Sequence, residues 1–352
     1  MTHRKRRTWA GTAIGSAALA AVTLLTAQGC APASPADAVT QASHSVSFAT
    51  AQQAYQSYVD TSDAAAVRGD MTLALSIVTA AQWAQVRGQY TALASAGTAV
   101  PRYRYGKPVF YVPALSGFPQ WFVVAVPRRA NTGTNTGTET GGRLGAAVNT
   151  LLVFARAKKS VPWTLGGSTV LDQPLPRIAL DRGGYAIAMS TNDSSLLLRP
   201  DVMGATQAAV VDDGPASPAA AVVGGGPQTT GLYAAQAARA ATEQARGLRY
   251  QWLLQGAPFP QAGLRLAGGG ALILYGMYLN TSNEHPNLVA GAPIPIPAAF
   301  TPLLAAPTEV GYHAVFANWA YEFAAIDPPA TTRNAKLQVI AAQGDPSYGH
   351  AY

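Results

Sequence analysis

The chain has 352 residues, of which 49% are apolar and only 12% charged. That balance excludes an intrinsically disordered chain, which would be rich in charge and poor in core-forming residues. The formal charge of +7 does not mark a nucleic-acid binder. Arg4, Lys5, Arg6 and Arg7 stand together near the start, and the rest of the chain carries 20 basic against 17 acidic residues, with no concentrated basic face.

The first element in chain order is the stretch those four cations open. No charge occurs from Thr8 to Ala36, and Ala10 to Ala27 is apolar. The stretch ends Thr26-Ala27-Gln28-Gly29-Cys30, small residues ahead of a cysteine, which suits a peptidase whose groove admits only small side chains near the cut. It resembles a bacterial lipoprotein signal with its lipobox, although Ala27 and Gln28 depart from the usual Leu and Ala. The resemblance implies cleavage between Gly29 and Cys30, so that residues 1–29 are a signal peptide. It also implies a diacylglycerol and a further acyl chain (palmitate or similar) on Cys30. The mature protein would then sit on the outer face of the cytoplasmic membrane. An uncleaved transmembrane anchor is the alternative, since the run approaches the ~20 residues that span a bilayer. Its Ala, Gly and Thr insert weakly, however. Sec and twin-arginine export both remain open. Cys30 is the only cysteine, so the fold has no internal disulfide. Residues 30–46, rich in Ala, Ser, Pro and Thr, read as a flexible tether.

Cutting before Cys30 leaves 323 residues, enough for two domains at about 150 residues each. Phe48 to Arg68 has Tyr55, Tyr58 and Val59 at helical spacing, with Ala between. Gly69 breaks that helix, and Asp70 caps a second one running to Ala96, with Thr79 as a point of interruption. Four strands come next, around 103–111, over Gln120–Val126, over Thr150–Ala157 and over Trp163–Leu171. Residues 130–149, full of Gly, Thr and Asn, read as a mobile hairpin tip rather than a phosphate cradle, because the GxxxxGK[ST] form is absent. Helices followed by an antiparallel meander is the α+β order. Over 47–172 this order resembles the NTF2-like or cystatin-like superfamily, in which helices pack in the concave face of a curved sheet. That resemblance implies a fold and no particular activity.

The second unit is placed at 173–352. Tyr185–Met189 reads as a strand and 214–228 as a loop. A helix is expected over about 232–246, then strands at 248–255, a hairpin through Gly268-Gly269-Gly270, and strands over 312–326 and 336–342. The expected architecture is two tandem α+β units, each a helical segment followed by an antiparallel meander. From the lipobox through ALSGFPQWFVVAV, LLVFARA and LRLAGGGALILYGMY, the chain resembles an uncharacterised family of actinobacterial lipoproteins. That family carries a domain of unknown function over most of the mature chain.

The chemistry is sparse. HExxH, GxSxG, a Walker loop and CxxC are all missing. His285 and His313 lack ligand-like spacing, so no metal and no cofactor is expected. His313 and Glu322 are nine apart on one expected strand and should face opposite ways. Asp212-Asp213 reads as a solvated turn. Tyr103, Tyr105, Trp121, His313, Trp319 and Tyr321 are the candidates for a ligand pocket, because rings with polar tips line such sites. Ordinary sheet packing is the other role for these residues. The sequence reading is a non-enzymatic lipoprotein, held to the membrane through Cys30, that binds an envelope protein or a small apolar ligand and no nucleic acid. An NTF2-like enzyme with an acid–base group in the sheet cone and a structural spacer are the alternatives.

Overall fold

The computed structural model describes residues 45–131, 145–257, 261–304, 306 and 308–352. The signal peptide, most of the tether, Gly29, Cys30 and the 132–144 part of the Gly/Thr tip lie outside the described residues.

Helix α1 (Phe48–Arg68) starts where the Ser47 hydroxyl accepts the Thr50 amide at 3.1 Å and ends at Gly69, whose φ of 63° is left-handed. Asp70 then caps α2 (Met71–Ser76) by accepting the Leu73 amide at 2.9 Å. The interruption at Thr79 has a tertiary cause. Ile77 and Thr79 leave the helix to exchange backbone hydrogen bonds with Leu165 of the sheet edge, both at 2.9 Å. The chain resumes as α3 (Ala80–Ser95).

The first sheet holds β1 (Arg102–Tyr105), β2 (Val109–Tyr111), β3 (Gln120–Asn131), β4 (Val148–Arg156) and β5 (Thr164–Val170). Its order is β1-β3-β4-β5, with β2 also pairing β3. Alternation along these strands sends Phe122, Val124, Leu152 and Phe154 toward Tyr55 of α1, while Val123, Leu151 and Val153 face away from it. Phe122 and Phe154 stack with their centroids 4.9 Å apart.

Residues 171–199 form no long strand. Tyr185–Met189, read as a strand, makes only isolated bridges through Ala186 and Ala188, because no continuous partner runs beside it. Two helices come after it, α4 (Pro200–Asp213) and α5 (Thr230–Gln244). The second sheet comprises β6 (Arg249–Gly256), β7 (Ala262–Arg265), β8 (Ala271–Glu284), β9 (Ala314–Asp327) and β10 (Gln338–Ala351). Its order is β10-β9-β8-β6, with β7 also on β8. The two sheets thus share one plan. Two short strands pair with the first long strand, and two further strands extend from it. Both sheets are antiparallel and neither closes into a barrel, so the fold is α+β.

One face of the second sheet, with Ile273, Tyr275, Met277 and Phe323, packs on Met203, Val210 and Val211 of α4. The opposite face, with Leu272, Leu274 and Ala324, joins Val123, Leu151 and Val153 of the first sheet in a common core. Farther along that face α3 takes over as the cover. Gln85 donates to the carbonyls of Ala320 at 3.0 Å and Gln343 at 3.3 Å, and Gly88 lies against Pro346. Residues 45–352 accordingly belong to one compact unit.

Candidate functional site

The face of the first sheet that packs on α1 is not filled to the end. Between α1, α2, α3 and the sheet lies a cavity of about 70 Å3. Its walls carry Tyr58, Gln82, Gln85, Tyr103, Tyr105, Arg128 and Ser168, and β10 adds Gln343 and Asp345. Polar atoms converge on it. Among the described residues, Gln82 Oε1, Gln85 Oε1, Arg128 Nε, Ser168 Oγ and Gln343 Oε1 are buried without a protein hydrogen-bond partner. Each such group costs about 1–3 kcal/mol if left dry, so this concentration at one place marks a site built for a polar guest or water.

Charge is also concentrated there. The Arg128 guanidinium lies 4.5 Å from the centroid of Tyr103, a cation–π contact. Burial raises the pKa of Tyr58 and Tyr105, whose hydroxyls hydrogen-bond each other. Burial likewise raises Asp345, against the opposing pull of Gln343 and Arg128. Tyr103 and Tyr105 separate this cavity from an outer cleft of about 600 Å3, lined also by Gln52, Tyr55, Gln56 and Phe110. The inner cavity admits a few waters or one small polar group, whereas the outer cleft is in the range of small-ligand sites.

Of the six aromatic and histidine candidates, only Tyr103 and Tyr105 meet at this site. Trp121 packs against the core shared by the two sheets. Trp319 meets Phe300 edge-on at 4.5 Å, and Tyr321 stacks on Phe323 at 5.4 Å and covers Gly344. His313 precedes β9 and stacks on Tyr352 at 5.9 Å. Glu322 is buried on β9 beside Gly167, and burial raises its pKa well above the usual carboxylate range. Asp212 is no solvated turn. It closes α4 and accepts the Leu254 amide at 2.9 Å, and burial lifts its pKa to about 6. Arg128, Gln85 and Asp345 were not singled out from the sequence, because their roles depend on three separate elements meeting. Among the described residues, no cluster of His, Cys, Asp or Glu could hold a metal ion, and no helix is long and apolar enough to cross a membrane.

The family described as Domain of unknown function (DUF8094) matches residues 42–344. A curated relative, named "Uncharacterized lipoprotein" and found in Streptomyces avermitilis, is 28% identical over 170 residues. The match takes in 47% of this chain and 44% of the relative, so the chain covers under half of that protein's length. No solved structure matches the chain.

Proposed function

The chain belongs to the DUF8094 family, and from that premise we propose that it is an exported lipoprotein whose body, held to the envelope membrane through Cys30, binds a ligand or partner without chemical turnover. The observation that carries the anchoring is the sole cysteine of the chain, placed behind small residues at the end of an apolar run. The matched relative's lipoprotein name supports it. A single acyl chain holds a protein only marginally at a bilayer, and the three chains of a mature lipoprotein cysteine meet the need for more than one. The outer face of the cytoplasmic membrane is the address this anchor gives. The binding role is supported by the make-up of the inner cavity and outer cleft, where amides, phenols and the guanidinium groups of Arg128 and Arg104 offer hydrogen bonds and ring faces.

The test is Cys30→Ser in the full-length chain. The native protein should partition with membranes and give an N-terminal peptide heavier by its acyl groups, whereas the variant should leave the membrane fraction. A native product that still begins at Met1 or carries a free thiol would refute the anchor, as would membrane retention of the variant.

A further inference from the structure

A second cleft, of about 430 Å3, lies on the other side of α3 from the polar cavity. Its roof is one helical face, in which Ala80, Trp83, Ala84 and Arg87 recur at three- and four-residue spacing. Its floor is the part of the second sheet that the first sheet does not cover. Register places Leu253, Asn280, Asn318 and Tyr348 in one row across β6, β8, β9 and β10. Gln255 opposes Tyr278 in the next row.

Three properties of this cleft narrow what it can hold. First, its aromatic walls are open, with Trp83 42% and Tyr348 41% exposed, so both rings can be reached from solvent. Second, Gln255, Asn280 and Asn318 form no side-chain hydrogen bond among the described residues, so a row of amides offers donors and acceptors together. Third, charge is nearly absent. Among the described residues no carboxylate lines the cleft, and its one cation, Arg87, lies 5.8 Å from the centroid of the Trp83 ring. Ala80, at the edge of the roof, has a φ of 54°, a conformation that non-glycine residues adopt at a cost of about 1 kcal/mol. Strain of this kind gathers at binding sites.

Nucleic acid, lipid, an amphipathic helix and a charged peptide each fail on one of these properties. Nucleic acid requires several cations. An acyl chain or an amphipathic helix requires an apolar floor. An acidic or basic peptide requires opposite charge in the cleft. A neutral polyhydroxylated ring satisfies all three, since its C–H face stacks on indole or phenol and its hydroxyls both donate to and accept from amides. We propose that the cleft between α3 and the second sheet binds neutral glycan chains, with Trp83 and Tyr348 as stacking platforms and Asn280, Asn318 and Gln255 reading the hydroxyls. This goes beyond the binding role given above, since it assigns a ligand class to a second site, apart from the anchor and from the Tyr103–Tyr105 cavity.

The experiment is titration calorimetry of the full-length protein in detergent with neutral hexasaccharides: β-1,4-glucan, β-1,3-glucan, β-1,4-galactan and α-1,5-arabinan. Heparin and polygalacturonate serve as charged controls. At least one neutral chain should bind saturably, and Trp83→Ala and Asn318→Ala should each weaken it tenfold or more. Val67→Ala, at an exposed position of α1 that lines neither cleft, should leave it within twofold. Trp83 is exposed, so unchanged circular dichroism and melting of its variant would show that the fold survives. Should Trp83→Ala melt early, Asn318→Ala and Asn280→Ala supply the same reading from the sheet side. Absence of binding to all four neutral chains, preference for the charged controls, or affinity indifferent to both variants would overturn the proposal. Each of these results would leave the Cys30→Ser outcome untouched, so the anchor and the glycan cleft stand or fall separately.

Discussion

Two glycine-to-alanine changes in helices should move stability in opposite directions. At Gly88 of α3, an added Cβ would lie 2.0 Å from the Pro346 carbonyl oxygen and 3.1 Å from its carbon. Ordinary contact starts at 3.4 Å, so the methyl is about 1.4 Å short of room, and its neighbour is backbone in a strand that already shifts register at Pro346. At Gly204 of α4, the nearest atoms to an added Cβ are Met277 Cε at 3.7 Å and Sδ at 3.8 Å, which is normal van der Waals contact. Alanine in a helix interior gains roughly 0.5–1 kcal/mol over glycine at either site. Overpacking costs typically about 1–3 kcal/mol and more where backbone must move. Gly204→Ala should therefore stabilise by about 0.5–1 kcal/mol, and Gly88→Ala should destabilise by about 1–2 kcal/mol after its helical gain. Urea denaturation followed by tryptophan fluorescence reads both, as midpoint shifts at unchanged slope. If Gly88→Ala raised the midpoint as Gly204→Ala does, α3 would not be seated on β10, and the walls of both clefts beside it would have to be redrawn.

Two more predictions concern the core of the second sheet. Asp327 is fully buried and accepts the Leu198 amide, yet burial lifts its pKa from 3.8 to about 7. An acid raised on folding stabilises most below its unfolded pKa and loses that contribution as pH rises through the folded value. The loss is about 4 kcal/mol at 1.36 kcal/mol per unit, so the stability of Asp327→Asn relative to the native chain should climb by up to that amount between about pH 4 and about pH 8. A difference that stays flat with pH would contradict the assignment. Tyr275→Phe removes a donor 2.5 Å from Gln207 Oε1 in the helix–sheet core, where both residues are buried. Thermal melting should show a loss of about 1–3 kcal/mol, the cost of a stranded buried acceptor.

Local chemistry made part of the fold legible. The break at Gly69, the cap at Asp70 and the apolar run of β3 each state their own structure, and they lie where the sequence places them. Helix α4 escaped notice because its buried residues, among them Met203, Gln207, Val210 and Val211, do not fall on a single apolar stripe, and its sequence mixes Gly, Thr and Gln with Val. The glycan cleft and the polar cavity were hidden for another reason. Tyr103 and Tyr105 could be noticed as paired rings on one strand. Arg128 and Asp345 are inconspicuous until β3 and β10 bring them to the same space, and a row such as Asn280–Asn318–Tyr348 exists only once three strands are in register.

The bond from Gln85 to the Gln343 carbonyl joins residues 258 positions apart. Helix α3 is thus synthesised long before the strand that covers it, and closure over that span delays docking. The face it exposes while waiting is made of Gln82, Gln85 and Gly88, which water wets readily. A leucine seam there would be adhesive for the whole interval. The unusual composition of this interior surface lets a nascent molecule idle without clumping until its distant mate arrives.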